Sequence, residues 1–351
     1  MSAGPTLIMD LAAFRNNVSV LAATVAPARC MIAVKANAYG HGMLPFARAA
    51  IEGGADALAV LEVPAGLELR AAGIEVPLFA WLHGADTDFG AAIEADIELG
   101  VSSLAELHRI LNAVSKTPAA VHLKVDTGLH RNGASPEEWP ALVSAARDAE
   151  DDGKLRIAGL WSHLADASPE DDAAALAEFR AAVAVAAGLG VENPFLHLAA
   201  SSAGLREPEA RFDQVRFGIA AYGISPFDDE DGRALGLRPV MTFRAPVIAV
   251  GDGIATIAAG SADGVPPSVL TASGSSAWVL LEGERREVVE IGVDTLEVAL
   301  GDGHAHIGDV ATLFGPGDHG EPTAEEWAHW ASTVGDEIVA RSSTRSERVY
   351  R

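Results

Sequence analysis

Short apolar runs recur along the first two-thirds of the chain, at residues 31–35, 57–61, 77–82, 97–101, 121–126, 157–163, 195–199 and 215–219. Each has strand length and is bounded by Gly, Pro or polar residues, as buried strands are. Between most of them lie Ala-rich stretches with helical periodicity, such as 44–52 and 173–187. The repeat predicts about eight β–α units, the pattern of an N-terminal (β/α)8 TIM-type barrel, which typically takes about 250 residues. An open doubly wound sheet shows the same alternation. No Gly-x-Gly-x-x-Gly loop follows the first strand, which argues against its dinucleotide-binding form. After about Gly236 the texture changes. Val-rich runs at 247–250, 254–258, 278–281, 288–291, 295–300 and 310–313 alternate with Gly, Asp and Ser turns, and helical patterns stand near 325–331 and 336–341. A mostly-β C-terminal domain is predicted, so the chain divides into an α/β barrel over 1–235 and a β domain over 236–351.

Composition narrows the function. The net charge of −24 on 351 residues argues against nucleic acid, because phosphate binding needs Lys and Arg to displace counterions. It argues against anionic membrane surfaces for the same reason. The single cysteine, Cys30, excludes an internal disulfide and a Cys-based zinc cluster, and no metal site is expected. No basic segment followed by an apolar run opens the sequence, and no apolar stretch reaches the roughly 20 residues of a membrane span. A cytoplasmic location is expected. Lysine occurs only at Lys35, Lys116, Lys124 and Lys154, so any lysine chemistry must use one of these.

The unusual polar residues gather at predicted strand ends, where a barrel places its functional groups. Lys35 ends the first strand. Lys124 and Asp126 lie near the end of the fifth, with Arg131 beyond. His163 ends the sixth, Ser201 follows the seventh, and Arg216 lies within the eighth, followed by Gly218 and Ile219. Each has a plain structural reading: a solvated lysine cap, a core histidine, a Lys124–Asp126 ion pair, turn residues. Their convergence on one barrel mouth favours function. Backbone amides after strands seven and eight are the usual phosphate site of this fold. A lysine beside a phosphate cradle points to a pyridoxal 5′-phosphate (PLP) Schiff base.

Residues 33–42 (AVKANAYGHG) resemble the PLP-attachment motif of the alanine racemase family. The likeness extends through 124–131 (KVDTGLHR), 161–164 (WSHL), 197–201 (HLAAS) and 215–226 (VRFGIAAYGISP), then into 315–327 and 336–350. The resemblance implies a PLP-dependent isomerase that interconverts L- and D-alanine, working as a head-to-tail homodimer on a small amino acid. It implies that Lys35 holds the cofactor and is the base on the D face. Tyr39, Ser201, Gly218 and Ile219 match phosphate binders. Arg216 matches the arginine facing the pyridine nitrogen, and His163 its neighbour. Arg131 matches a residue near the cofactor phenolate and substrate carboxylate, and Lys124 a lysine carbamylated in some members. An arginine opposite the ring nitrogen keeps its own protons, which moderates the electron sink and favours reprotonation over transamination.

The second domain departs from the pattern. The family's Gly-Tyr-Ala-Asp-Gly, whose tyrosine is the base on the L face, reads Gly260-Ser261-Ala262-Asp263-Gly264. A serine hydroxyl abstracts no proton near neutral pH without a base of its own. The long segment that usually precedes this motif is missing, because Val250 runs almost directly to Ile254. The substrate-contacting Met-Asp is Val293-Asp294, the Asn before the phosphate-binding serine is Ala200, and the Pro near the C-terminus is Glu347. Three other readings stay open. His163 could take a proton from a β-hydroxyl, giving retro-aldol cleavage of a D-β-hydroxy amino acid. The chain could be a non-catalytic PLP-binding paralogue. Asp126 and His163 could serve a barrel hydrolase, which leaves Lys35 without a role.

Overall fold

The computed structural model describes residues 4–113, 115–271, 277–342 and 345–351. Contacts divide the chain into two compact units. One comprises Val18–Lys35 and Ala50–Gly218; the other comprises Met1–Asn17, Ala36–Ala49 and Ile219–Arg351. The chain starts in the latter with β1 (Thr6–Met9).

The former is the (β/α)8 barrel. Its parallel strands are β2 (Arg29–Ala33), β3 (Ala57–Val60), β4 (Leu78–Ala80), β5 (Ile97–Val101), β6 (Ala119–Lys124), β7 (Leu155–Trp161), β8 (Phe195–His197) and β9 (Gln214–Phe217). Neighbours follow chain order, and β2 also pairs with β9. Asp213 N donates to Leu196 O and Arg216 N to Ala199 O, each at 3.1 Å, which draws β8 and β9 together. The sheet therefore closes on itself, and the open doubly wound alternative is set aside. Strands such as β3 are buried at every residue, as strands covered on both faces must be. The helices between them start where the sequence supplies caps. Asp88, Ser103 and Ser168 accept from the amides of Ala91, Glu106 and Asp171. Pro169 and the acidic Glu170, Asp171 and Asp172 reinforce the start of Pro169–Gly188.

Most of the predicted strands end about two residues late, while the fourth coincides with β5. The first ends at Ala33 and the sixth at Trp161, so Lys35 and His163 lie just past their strands rather than ending them. Apolar character persists into these exits because the backbone there is still buried.

The other unit is built on one mostly antiparallel sheet. It contains β1 and then β10 (Met241–Gly251), β11 (Ile254–Ile257), β12 (Trp278–Leu281), β13 (Glu284–Ile291), β14 (Leu296–Ala299), β15 (Val310–Phe314) and β16 (Glu347–Tyr350), in the order β11-β14-β13-β12-β15-β10-β1-β16. β1 is antiparallel to β10 and parallel to β16. These two strands went unpredicted because their partners are remote in sequence. β10 starts well before the expected 247–250, since Arg244 and Pro246 interrupt its apolar run while its buried positions still alternate. Where the family's long segment is absent, Asp252 (φ 50°) and Gly253 (φ 76°) close β10 onto β11 in a two-residue hairpin. Positive φ at both positions is the type I′ requirement. Helix Ala324–Ala331 begins on a reciprocal capping box between Thr323 and Glu326, and its Trp327 donates to Leu313 O at 2.5 Å.

Candidate active site

Lys35, half-buried, follows the first barrel strand and leads into an unusual turn. Ala36, Asn37, Ala38 and Tyr39 all have φ between 50° and 55°. A left-handed helical turn of L-residues costs roughly 1–2 kcal/mol per residue, so something must hold it. Gly40 N donates to Ala36 O, His41 N to Ala38 O and Gly42 N to Asn37 O, at 2.9–3.0 Å. Asn37 Oδ1 accepts from Met43 N at 2.8 Å. The His41 Nδ1–H, at 2.9 Å from the carbonyls of both Ala38 and Tyr39, bridges them. Burial drops the His41 pKa to about 3 and keeps that ring neutral. Arg348 Nε donates to Gly40 O at 2.9 Å. A side chain at Gly40 would strike Ser342 and the Val339 carbonyl, and one at Gly42 would strike the Tyr350 hydroxyl. Both glycines are thus required by close approach as well as by positive φ.

Inside the barrel, polar side chains sit at positions that an apolar strand would fill with Leu or Val. Lys124, fully buried at the end of β6, donates through Nζ to Asn132 Oδ1 and lies 4.8 Å above the Trp161 ring. Burial, then Arg131 and Arg216, pull its pKa down to about 8. The plain Lys124–Asp126 ion pair does not form. Asp126 instead accepts from Gly128 N, His130 N and His130 Nδ1, at 3.0–3.1 Å. A carboxylate so committed leaves the hydrolase reading without its acid.

Arg216, on β9, is nearly buried. Its two Nη2 hydrogens reach Ser162 O at 2.8 Å and Leu198 O at 3.0 Å, one of them shared with His163 Nδ1 at 3.2 Å; its Nη1 donates to His197 Nδ1 at 2.9 Å. Arginine has no acceptor, so His163 Nδ1 must be a lone pair and its proton sits on Nε2. Burial first, then Arg216, Arg131, Lys124 and Lys35, hold His163 well below its ordinary pKa. His163 is therefore a neutral donor on its open side. Retro-aldol cleavage loses the base it needs. The same four cations give the barrel mouth a positive field. In a chain of net charge −24, two of only four lysines and two arginines face one histidine. Such a site suits a dianionic phosphate and a carboxylate. Ser201 Oγ, at the start of helix Ser201–Arg206, accepts from Gly218 N at 3.2 Å and begins a cradle of that kind.

In the other unit, Ile219 opens a short turn through Tyr222. Ser261 opens another, with Ser261 N on Gly292 O at 3.0 Å and Ala262 N on Val293 O at 2.9 Å. Val293 is largely exposed. Asp294 pairs with Arg345 Nη1 at 2.7 Å, and Arg345 Nε also faces the buried Asp263 at 3.6 Å. The chain has three tyrosines. Burial raises the pKa of Tyr39 and Tyr222, whose rings pack 5.0 Å apart, and of Tyr350 beside Gly42. None is an activated phenol.

Sequence reasoning passed over Asn132, Trp161, His122, His197 and Glu98. For His122, His197 and Glu98 the available signal was a polar residue within an otherwise apolar strand.

Comparisons with known proteins converge. A family model described as "Alanine racemase, N-terminal domain" matches residues 9–226, and one described as "Alanine racemase, C-terminal domain" matches 242–350. The alanine racemase of Thermobifida fusca (strain YX) is 40% identical, covering 97% of this chain and 96% of its own. That of Salinispora tropica is 42% identical, covering 97% of each. The crystal structure of alanine racemase from D-cycloserine producing Streptomyces lavendulae superposes with a TM-score of 0.95 at 38% identity, covering all of this chain and 98% of that one.

Proposed function

The chain belongs to the alanine racemase family of PLP-dependent isomerases, and we propose that it binds PLP through Lys35 and racemizes a small amino acid, alanine or a close relative. The four cations converging on the barrel mouth carry this reading. The residues present fit the cofactor. Ser201 Oγ and the Gly218 amide suit its phosphate. Arg216, pinned on one side by four buried acceptors, keeps its remaining N–H groups for the ring nitrogen, and His163 is its neighbour there. Tyr39 and Ile219 join the phosphate binders on the family motif. Arg131 and Asp294, with Val293, are assigned to substrate on the same ground, and Asp294 is oriented by Arg345.

When bound, PLP supplies an electron sink that acidifies the substrate's α-hydrogen. The protein's part is proton management. Lys35 Nζ takes and returns the α-hydrogen on the D face. Arg216 holds its protons and donates none to the ring. Ser261 stands where the family's L-face tyrosine does, with a hydroxyl far too weakly acidic to act alone. Barrel 1–235 and β domain 236–351 are taken as the functional division, completed by a second copy head to tail. Among the described residues no helix is long and apolar enough to cross a membrane. Borohydride reduction of the PLP-loaded protein tests the assignment. The trapped adduct should map to Lys35 and vanish in Lys35→Ala; an adduct at Lys124 or Lys154 would overturn it.

A further inference from the structure

Arg216 is one end of a hydrogen-bonded chain that crosses the barrel interior. His197 Nδ1 lies 2.9 Å from Arg216 Nη1, His197 Nε2 lies 2.9 Å from His122 Nδ1, and His122 Nε2 lies 3.0 Å from Glu98 Oε2. Both imidazoles are buried, boxed by Phe79 and Trp161, with His197 stacked parallel on Trp161. Gly159, beside His122 on the neighbouring strand, exists to let this ring through: a Cβ there would come within 2.3 Å of His122 Nδ1.

The direction of every bond follows from the arginine. A guanidinium only donates, so His197 Nδ1 accepts and its proton is on Nε2. That proton is given to His122 Nδ1, so His122 carries its own on Nε2 and gives it to Glu98. Reversing any link would set two N–H groups against each other. Glu98 suits the far end. Burial pushes its carboxyl up, but the His122 hydrogen bond and the nearby Arg156 and Arg29 outweigh this and hold it ionised; Arg70 faces it as well.

We propose that Glu98 is a positioning residue which, through His122 and His197 in fixed Nε2–H tautomers, orients Arg216 and balances its charge without placing any transferable proton near the cofactor ring. The inference rests on the reading that Arg216 faces that ring. A carboxylate set directly against a ring nitrogen could share a proton with it. Two neutral imidazoles keep the negative charge remote, and each proton of the relay points away from the arginine, which accepts none in return.

Nitrogen-15 NMR of histidine-labelled, PLP-loaded protein reads the tautomers directly. His122 and His197 should both appear as neutral Nε2–H rings. Either ring found as Nδ1–H or as imidazolium in the wild type overturns the proposal. Glu98→Gln keeps an acceptor for His122 and should preserve both tautomers. Glu98→Leu removes it and leaves the buried His122 Nε2–H unpaired, and Gly159→Ala would put a Cβ 2.3 Å from His122 Nδ1 and 2.6 Å from Phe195 O, breaking the His122–His197 link and freeing the His122 tautomer. With PLP content unchanged, kcat/KM should fall about ten- to a hundredfold in Glu98→Leu, the scale of one hydrogen bond to a charged group, and less in Glu98→Gln. Equal loss in both variants with tautomers intact would reduce Glu98 to a packing role and sink the idea. An inactive wild type with both tautomers as stated would count against the racemase reading while upholding the relay; an active wild type with other tautomers would do the reverse.

Discussion

The replacement at Ser261 sets a measurable asymmetry between the two faces of the substrate. Racemization needs a proton acceptor on each face of a planar carbanion. Lys35 serves one. On the other, the Ser261 hydroxyl would need its own base, and none of its neighbours in the turn qualifies: Asp263 is buried, accepts from Gly260 N and faces Arg345, and Asp294 is paired with the same arginine. The three tyrosines are fixed elsewhere with raised pKa values, and a partner subunit of the same sequence brings no others. General-base catalysis is typically worth about 10²–10⁴-fold, or roughly 3–5 kcal/mol of barrier. L-to-D conversion should be slower by that factor than in a tyrosine-bearing relative, and equilibrium requires D-to-L conversion to slow equally. Isotope exchange is under no such restriction, because Lys35 removes and returns the same hydrogen. D-alanine should therefore exchange its α-hydrogen with D₂O much faster than it racemizes, while L-alanine exchanges slowly. Proton NMR and chiral chromatography on one sample measure both quantities. Ser261→Tyr should recover part of the lost racemization if the shortened β10–β11 hairpin leaves room for the ring. Equal, fast exchange of both enantiomers in the wild type would refute the reasoning, since it requires a second base that this sequence does not supply.

Three further outcomes are expected. The amine of Lys124 titrates near 8 in the folded chain against an ordinary 10.5, so the unfolded chain binds more protons between these values and stability should rise with pH across that window, by up to a few kcal/mol; thermal melts should show this slope in the wild type and lose it in Lys124→Met. Thr323→Ala removes one half of the capping box of Ala324–Ala331 and should lower stability by about 1 kcal/mol in urea unfolding, with no change in the borohydride adduct. Light scattering at micromolar concentration should give a homodimer, and a monomer would count against the head-to-tail assembly.

The barrel was legible because its strands are local repeats of one pattern, buried on both faces, so a continuous apolar run betrays each of them. Lys35, Arg216 and Ser201 stood out as candidates for a related reason: a charged or hydroxyl side chain at the exit of such a run has few structural uses. β1 and β16 were not legible, because a four-residue strand at a chain terminus has its meaning only in a partner more than 200 residues away. Nor did the alternation of β10 survive inspection of apolar residues alone. Arg244 and Pro246 occupy its outer positions, and only the pairing with β1 and β15 shows that one strand runs through them.

The histidines teach the opposite lesson. His122 and His197 sit among apolar neighbours, where a lone histidine reads as a satisfied core residue. That is what each one is, taken singly: every nitrogen has a partner. Their significance comes from the order in which those partners are arranged, which runs from a cation to an anion with one permitted direction. Hydrogen-bond satisfaction and function are here the same arrangement. A barrel interior usually filled with Val, Ile and Leu instead encloses a guanidinium, two imidazoles and a lysine, each at a desolvation penalty that packing alone would never return. The buried polar path ends on Arg216, one of the residues assigned to the cofactor.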